Sequence, residues 1–481
     1  MRREVAFWFG EIDLAPVAVF RILFGALSLN WFWQLYPNLT QFYTDEGIFP
    51  RSSQLFFFPR HLTLLNAAGE WWQVVLFWLL ALAAALALTV GFHSRIAAFV
   101  TFVMLGSFSL RDPLIGDASD QVFRASAFWL TFTAAGERYS VDGWLRAKRG
   151  DPSSGFGWAL PVRILELQFA WIYLATGLEK MGGGLWRDGV AVFYSLQLEH
   201  TFARPWAAPL PRNLELTQLA TQLTVVVELA FLPLVFLPFV RRLGRIVAVV
   251  AAAGLHLSIL VLMNVGNFPF VMLAGLVPFL PPGFVAGTIK QLRLPRPLAV
   301  VVAKPVSSGS RGASISRWRL ARGVALVTLA LVVFSTSLPS YIALSRPEAV
   351  DRVLQYANLL QKWNMFSPDP PTSDGWMHIP GVLADGTAID LATGTAPTDQ
   401  PLYADPFYSR WTKVTEWIAS AANAPYREEY SRMYCRLRNL HLQPGQSPLV
   451  SFDLVYYERK VPPPGAPQEP PRPILLNSHH C

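Results

Sequence analysis

The feature that most narrows the possible folds is a recurring one: apolar runs near twenty residues long, the length that crosses the hydrocarbon core of a bilayer as a helix. By hydropathy they fall at about 15–35, 72–92, 95–110, 120–137, 162–180, 215–239, 245–264, 267–281 and 320–345. The third and eighth are short. Lipid offers no partner to free backbone groups, so runs of this kind fold as helices. The expectation is a mainly α, polytopic membrane helix bundle of about nine spans. Composition agrees, with 52% hydrophobic and only 15% charged residues and a mean hydropathy of +0.32. The 17 Trp and 33 Phe suit aromatic belts at the two interfaces.

A net charge of +8 raises the question of nucleic acid. The placement of the basic residues excludes it. With the N-terminal "MRRE" in the cytoplasm, the inner loops become 93–95 ("HSR"), 137–151, 240–245 ("VRRLGR") and 282–319. The last holds Lys290, Arg293, Arg296, Lys304, Arg311, Arg317 and Arg319. Nearly every basic cluster lies inside, as the positive-inside rule requires. An odd span number then leaves the C-terminal part outside. The first residues lack a short apolar core with a small-residue cleavage site, so no cleavable signal peptide is expected. The only cysteines are Cys435 and Cys481. They exclude a Cys-based metal cluster, and outside the cell their pairing is feasible.

Three parts are expected: a membrane domain over 1–345, a small β-rich extracytoplasmic domain over 346–460, and a Pro-rich tail over 461–481. Within the second, "MHIPGVLADGTAIDLATG" reads as a hairpin around an Asp-Gly turn. "LVSFDLVYYERKV" at 449–461 reads as a further strand. The tail should be extended or disordered, and 303–316 should be a flexible linker.

Polar groups inside spans are costly and mark functional positions by default. Arg21, Glu228 and His256 qualify, and Lys180 closes the fifth span in "IYLATGLEKMGGGLWRDG". Each has two readings. Lys180 either snorkels its ammonium to the interface or is a desolvated amine fit to act as a base. His256 is either a bonded core histidine or a site residue. Glu228 and Arg21 are either glue within the bundle, in one arrangement bonded to each other, or site residues. The aromatic loop 36–61 is an interfacial or re-entrant element, or a wall over a lipid-like ligand. Segment 109–129 carries Arg111, Asp112, Asp117, Asp120 and Arg124, a set that reads as paired charges at helix ends. No Walker loop, GxSxG, HExxH or dinucleotide fingerprint occurs. No paired broken helices in matching halves suggest a transporter.

The order of these motifs resembles the HTTM (horizontally transferred transmembrane) domain family, bacterial relatives of vitamin K-dependent γ-glutamyl carboxylase. "FRILFGAL", "FYTDEGIFP" and "LRDPLIGDASDQVFRASAFWLTFTAAGERYSVDG" look like successive landmarks of that domain. "IYLATGLEKMGGGLWRDGVAVFY" is similar to the carboxylase segment bearing a lysine base, which maps onto Lys180. "LHLSILVLMNVGNFPFVML" resembles a later His-bearing span and gives His256. "KWNMFSPDPPTSDGW" at 362–376 is similar to the segment that opens the extramembrane part. The resemblance runs from about 15 to 380.

The resemblance implies a quinol-dependent carboxylase-like enzyme. It would couple epoxidation of reduced vitamin K (phylloquinone or menaquinone quinol) by O2 to addition of CO2 at a peptide glutamate. Lys180 and His256 would be catalytic, with Tyr173, Trp186, Glu228, Asn267 and Arg21 as contacts to substrate or cofactor. No metal is expected. The partners would be membrane lipid or quinone and an exported Glu-containing peptide, and the setting the bacterial inner membrane. One departure stands out: where the carboxylases have a histidine just before "SVDG", the nearest match here is Glu137. The competing expectation is a non-catalytic membrane protein on the same scaffold, binding lipid or quinone or acting in export or immunity.

Overall fold

A helix occupies each of the apolar runs in the computed structural model. They are α1 (Ala15–Trp33), α2 (Trp71–Val90), α3 (Ser94–Arg111), α4 (Ala118–Phe132), α5 (Ala159–Met181), α6 (Leu214–Phe236), α7 (Arg241–Leu262), α8 (Phe268–Gly275) and α9 (Arg317–Ser335). The structure describes residues 2–291, 317–339, 341–342, 345–398, 400–402 and 409–481. The expected linker 303–316 and the basic residues Arg293, Arg296, Lys304 and Arg311 lie outside the described residues.

Among the described residues, six helices are long and apolar enough to cross a membrane: α1, α2, α3, α6, α7 and α9. A seventh arises if Phe268–Phe279 and Pro282–Gln291, bent by 115°, count as one span. Two of the expected spans are different in kind. α4 has only 15 residues, and α5 carries Arg163, Glu166, Glu179 and Lys180. Both are buried along most of their length. Surrounded by protein, they need no apolar coat, so polar residues are tolerated. Glu166, fully buried, takes hydrogen bonds of 2.7 Å from both Arg163 and Arg245.

The charge-rich loops gather at one end of the bundle. Arg241 pairs with Glu4, Asp142 accepts from the backbone of His93 and Ser94, and Val285 packs with Ala15, Ala18 and Tyr139. Arg21 belongs to this end. Its guanidinium donates to the carbonyls of Leu88 and Tyr139, the first of them at the C-terminal turn of α2, where a cation is favoured.

The opposite end carries the C-terminal unit. Its elements are β1 (Ser373–His378), β2 (Pro380–Leu383), β3 (Ala388–Asp390), α10 (Arg410–Ala419), α11 (Arg427–Leu440), β4 (Leu449–Lys460) and β5 (Arg472–His480). All five strands form one antiparallel sheet, in which β4 pairs with β1, β2 and β5. The expected hairpin is β2–β3, with Gly386 at φ +83° in its turn. The expected strand at 449–461 is β4. Two expectations need correction. Helices α10 and α11 pack beside the sheet, so the unit is mixed rather than mostly β. The tail is not loose throughout: nine of its last ten residues form β5, and the final one, Cys481, is disulfide-bonded to Cys435 on α11. β4 offers an unpaired edge, and the tail satisfies it.

Loop 36–61 forms the seat for this unit. It folds into short helices Leu39–Tyr43 and Arg51–Phe57. Arg436 donates to the carbonyls of Glu46 and Gly47, and Trp411 donates to Asn38.

Candidate functional site

Between the bundle end and the C-terminal unit lies a chamber of about 1230 Å³. Its walls come from α4, α5, α6 and α7, and its cover from residues 364–374, α10 and β4. Lys180 lines it near the end of α5 and is only 4% exposed. Its Nζ donates to both oxygens of Glu228, at 2.7 and 2.9 Å. It also lies 4.9 Å from the Trp186 ring centroid, within reach of a cation–π attraction.

This contact exists because Gly177, one turn before Lys180, lets α6 come close. A Cβ there would meet Glu228 Cβ at 3.1 Å and Leu229 Cδ2 at 2.9 Å. Small residues at such crossings are how membrane helices approach. The glycines after Lys180 have a second use. A Cβ on Gly183 would sit 1.9 Å from the Pro368 carbonyl oxygen. Its absence lets segment 366–369 close over the turn. There Asp369 accepts from the backbone N–H groups of Gly184 and Leu185, and Trp186 Nε1 donates to the Phe366 carbonyl at 2.8 Å. The "GGGLWRDG" and "KWNMFSPDP" stretches are thus two halves of one latch.

A second pair stands along the same wall. His256 Nε2 and the Tyr173 hydroxyl are 2.7 Å apart, and Tyr173 stacks on Phe231. His256 is 2% exposed, lines the chamber, and has no hydrogen-bond partner at Nδ1. Between these polar points the lining is apolar, with Ile172, Leu255, Ile259, Phe268 and Met272 among its residues.

The cover is held by one charge pair across the junction and by a second, within the cover, that takes a backbone hydrogen bond from the bundle side. Arg410 pairs with Asp120 at 2.9 Å, and Trp31 Nε1 donates to the same carboxylate. Arg459 pairs with Asp374, whose other oxygen accepts from the backbone of His200. Tyr456, on the cover, has its hydroxyl pushed well above the ordinary range, first by burial and then by Asp374. His61, on the α4 side, is held below its ordinary value by burial, with nearby Arg124 adding to the effect. Among the described residues, no three His, Cys, Asp or Glu side chains are grouped to hold a metal ion.

Five of the seven candidates named from sequence therefore converge on the chamber: Lys180, Glu228, His256, Tyr173 and Trp186. Two do not. Arg21 caps carbonyls at the other end and is not bonded to Glu228. Asn267 is bonded to Gln34 and Asn30 at the base of loop 36–61, outside the lining. Glu137 also lies apart, held by Arg146 and Ser153. Arg124 was not singled out by sequence reasoning, because 109–129 reads as self-paired charge. Asp120 is instead taken by Arg410, 290 residues away, and Arg124 lines the chamber without that partner.

A family model described as the HTTM domain matches residues 9–284, more than half of the chain. No curated protein and no solved structure matches it.

Proposed function

This chain belongs to the HTTM domain family, and from that premise we propose that it is a quinol-dependent carboxylase-like or epoxidase-like integral membrane enzyme. The observation that carries the proposal is Lys180 Nζ, buried on the wall of a mainly apolar chamber and in direct contact with one carboxylate. An amine at a mere membrane edge would face headgroups and water instead.

A reduced naphthoquinone fits the residues present. Its flat ring system matches the apolar stretch between Ile172 and Met272. Its two hydroxyls need polar partners, and His256 Nδ1 and the Lys180–Glu228 pair supply them. The chamber volume exceeds the roughly 300–1,000 Å³ of common ligand sites, leaving room for a peptide side chain beside the ring. When bound and oxygenated, the quinol would supply the strong base needed to remove a proton from a substrate carbon.

The chain's own residues have definable tasks. Lys180 and Glu228 share one proton between nitrogen and oxygen; once it passes from Nζ to the carboxylate, the neutral amine can take a proton from a hydroxyl placed against Nζ. Glu228 also fixes Nζ in place, since two bonds leave it little freedom. Tyr173 holds the His256 ring by Nε2 and leaves Nδ1 for a ligand hydroxyl. Asp369 and Trp186 keep segment 366–369 closed and exclude water. Loop charge supports a placement in which the end bearing the latch faces the exterior of a bacterial inner membrane, where a peptide with glutamate can enter.

One observation favours a second reading. The Lys180 ammonium is already satisfied by Glu228, as it would be in a structural clamp, and the chamber would then simply hold lipid or quinone. The separating assay is quinol consumption under O2 in membranes supplied with reduced menaquinone or phylloquinone. The enzyme reading expects consumption by the wild type and its loss in Lys180→Ala at equal expression. No consumption by the wild type, together with no quinone on extraction, removes it.

A further inference from the structure

The chamber contains a charge that the proposed chemistry does not use. Arg124, on α4, is nine-tenths buried, lines the chamber, and has no hydrogen-bond or ion-pair partner among the described residues. Asp120, one turn away, acts on it through space but gives its hydrogen bonds to Arg410 and Trp31. A buried guanidinium with no bonded anion is expensive, and proteins place one only where something compensates it. Other buried charges nearby are matched: Lys180 by Glu228, Asp120 by Arg410, Asp374 by Arg459. Two further lining atoms beside α4 lack partners, Ser109 Oγ and His61 Nδ1. An arginine fork, a hydroxyl and a ring nitrogen on one wall, all unpartnered, are what an anion requires.

We propose that Arg124, Ser109 and His61 form a carboxylate-recognition subsite of the chamber. A single guanidinium compensates one negative charge. Asp117 and Asp120 share the α4 wall and oppose any ligand carrying two, so a monoanionic carboxylate is favoured over a phosphate dianion. Guanidinium and carboxylate also match in a planar, two-bond geometry. The carboxylate can come from a peptide side chain or from a fatty acid. The assignment rests on the reading of this chamber as a substrate site, though not on the quinol chemistry.

The test uses the full chain in phosphatidylcholine nanodiscs, melted by tryptophan fluorescence. The probes are a short glutamate-containing peptide, its glutamine counterpart, oleate and inorganic phosphate. The glutamate peptide should raise the melting temperature of the wild type in a dose-dependent way, and the glutamine peptide should not. Arg124→Met should melt at or above the wild type without probe, because it removes a buried charge that no bonded anion offsets. It should also weaken the glutamate-peptide response by about tenfold or more, while Arg124→Lys keeps part of it. Oleate acting as the peptide does would assign the carboxylate to a lipid and keep the subsite. The subsite is overturned if Arg124→Met melts below the wild type or responds normally. It is also overturned if the glutamine peptide is as effective as the glutamate peptide, or if phosphate alone acts. A protein that consumes no quinol yet keeps the Arg124-dependent response would lose the enzymatic proposal and retain this site.

Discussion

Replacing Glu228 by Gln tests the arrangement of the site most directly. The substitution keeps shape and one acceptor but strips Lys180 of its counter-charge. Both side chains are buried, 4% and 9% exposed, so water does little to screen the loss. Breaking a buried pair from one side costs about 3–5 kcal/mol, and an unpaired charge within a membrane helix about 2.5–3.5 kcal/mol. The two converge on about 3 kcal/mol. Unfolding entropy of about 2.1 cal/mol/K per residue over 481 residues gives about 1 kcal/mol per degree. Glu228→Gln should therefore melt about 3 °C lower in detergent. Adding Lys180→Met should recover most of that, since neither charge then remains. The swap Lys180→Glu with Glu228→Lys should keep stability and lose quinol consumption, because the amine then projects from α6. A Glu228→Gln protein melting within about 1 °C of the wild type would refute the argument. So would a double variant as unstable as the two single losses combined.

Other consequences are equally measurable. Burial raises Asp112 to about 7, and its Oδ2 has no partner. Between its unfolded value near 3.8 and 7 the folded state binds the extra proton, so stability should rise as pH falls through that window and level off below it. Asp112→Asn should remove this rise, as read from melting temperatures at pH 5 to 8. The Cys435–Cys481 bridge spans a sequence separation of 46. On the chain-entropy model, losing it costs about 4 kcal/mol, so Cys481→Ser should make β5 an early protease target. Gly183→Val should force segment 366–369 off the turn, giving faster tryptic cleavage after Lys362 and no quinol consumption. In a chain with Cys435 and Cys481 both replaced by Ser, an impermeant maleimide applied to intact cells should label a cysteine at Gln468 and not one at Ser308; the reverse would invert the assigned orientation.

Much of this was legible in the sequence because bilayer physics is local. A run of twenty apolar residues is visible without knowing its neighbours, and so is the charge of the loop beside it. β2–β3 was legible for the same reason, since an Asp-Gly turn acts within four residues. What was not legible is partner choice. Glu228 meets Lys180 across 48 positions, and Arg410 reaches Asp120 across 290. Asp120 and Arg124 sit one helical turn apart and look like a pair. Only the docking of α10 shows that the carboxylate is engaged elsewhere and the guanidinium is not. β5 was hidden by composition, because prolines at 462–464 suggest a loose tail while the pairing edge is supplied by β4.

The depth of Lys180 decides between its two readings, and depth is the quantity a single span conceals. Lys180 lies one residue from the end of α5, which by itself places it at the membrane edge. Its partner Glu228 is fourteen residues beyond the start of α6. At 1.5 Å per residue, about 21 Å of α6 lies between that start and Glu228. Allowing about 6 Å for the reach of the lysine side chain, about 15 Å of α6 still rises past the level of the Lys180 backbone. α5 thus ends well below the rim of the bundle, and the "GGG" turn lies beneath the C-terminal unit. A snorkelling lysine needs an interface to reach, and here the latch of Trp186, Phe366 and Asp369 lies in that direction. The end of a span in sequence is not the end of the bundle in space, and it is this offset that converts an edge lysine into an enclosed one.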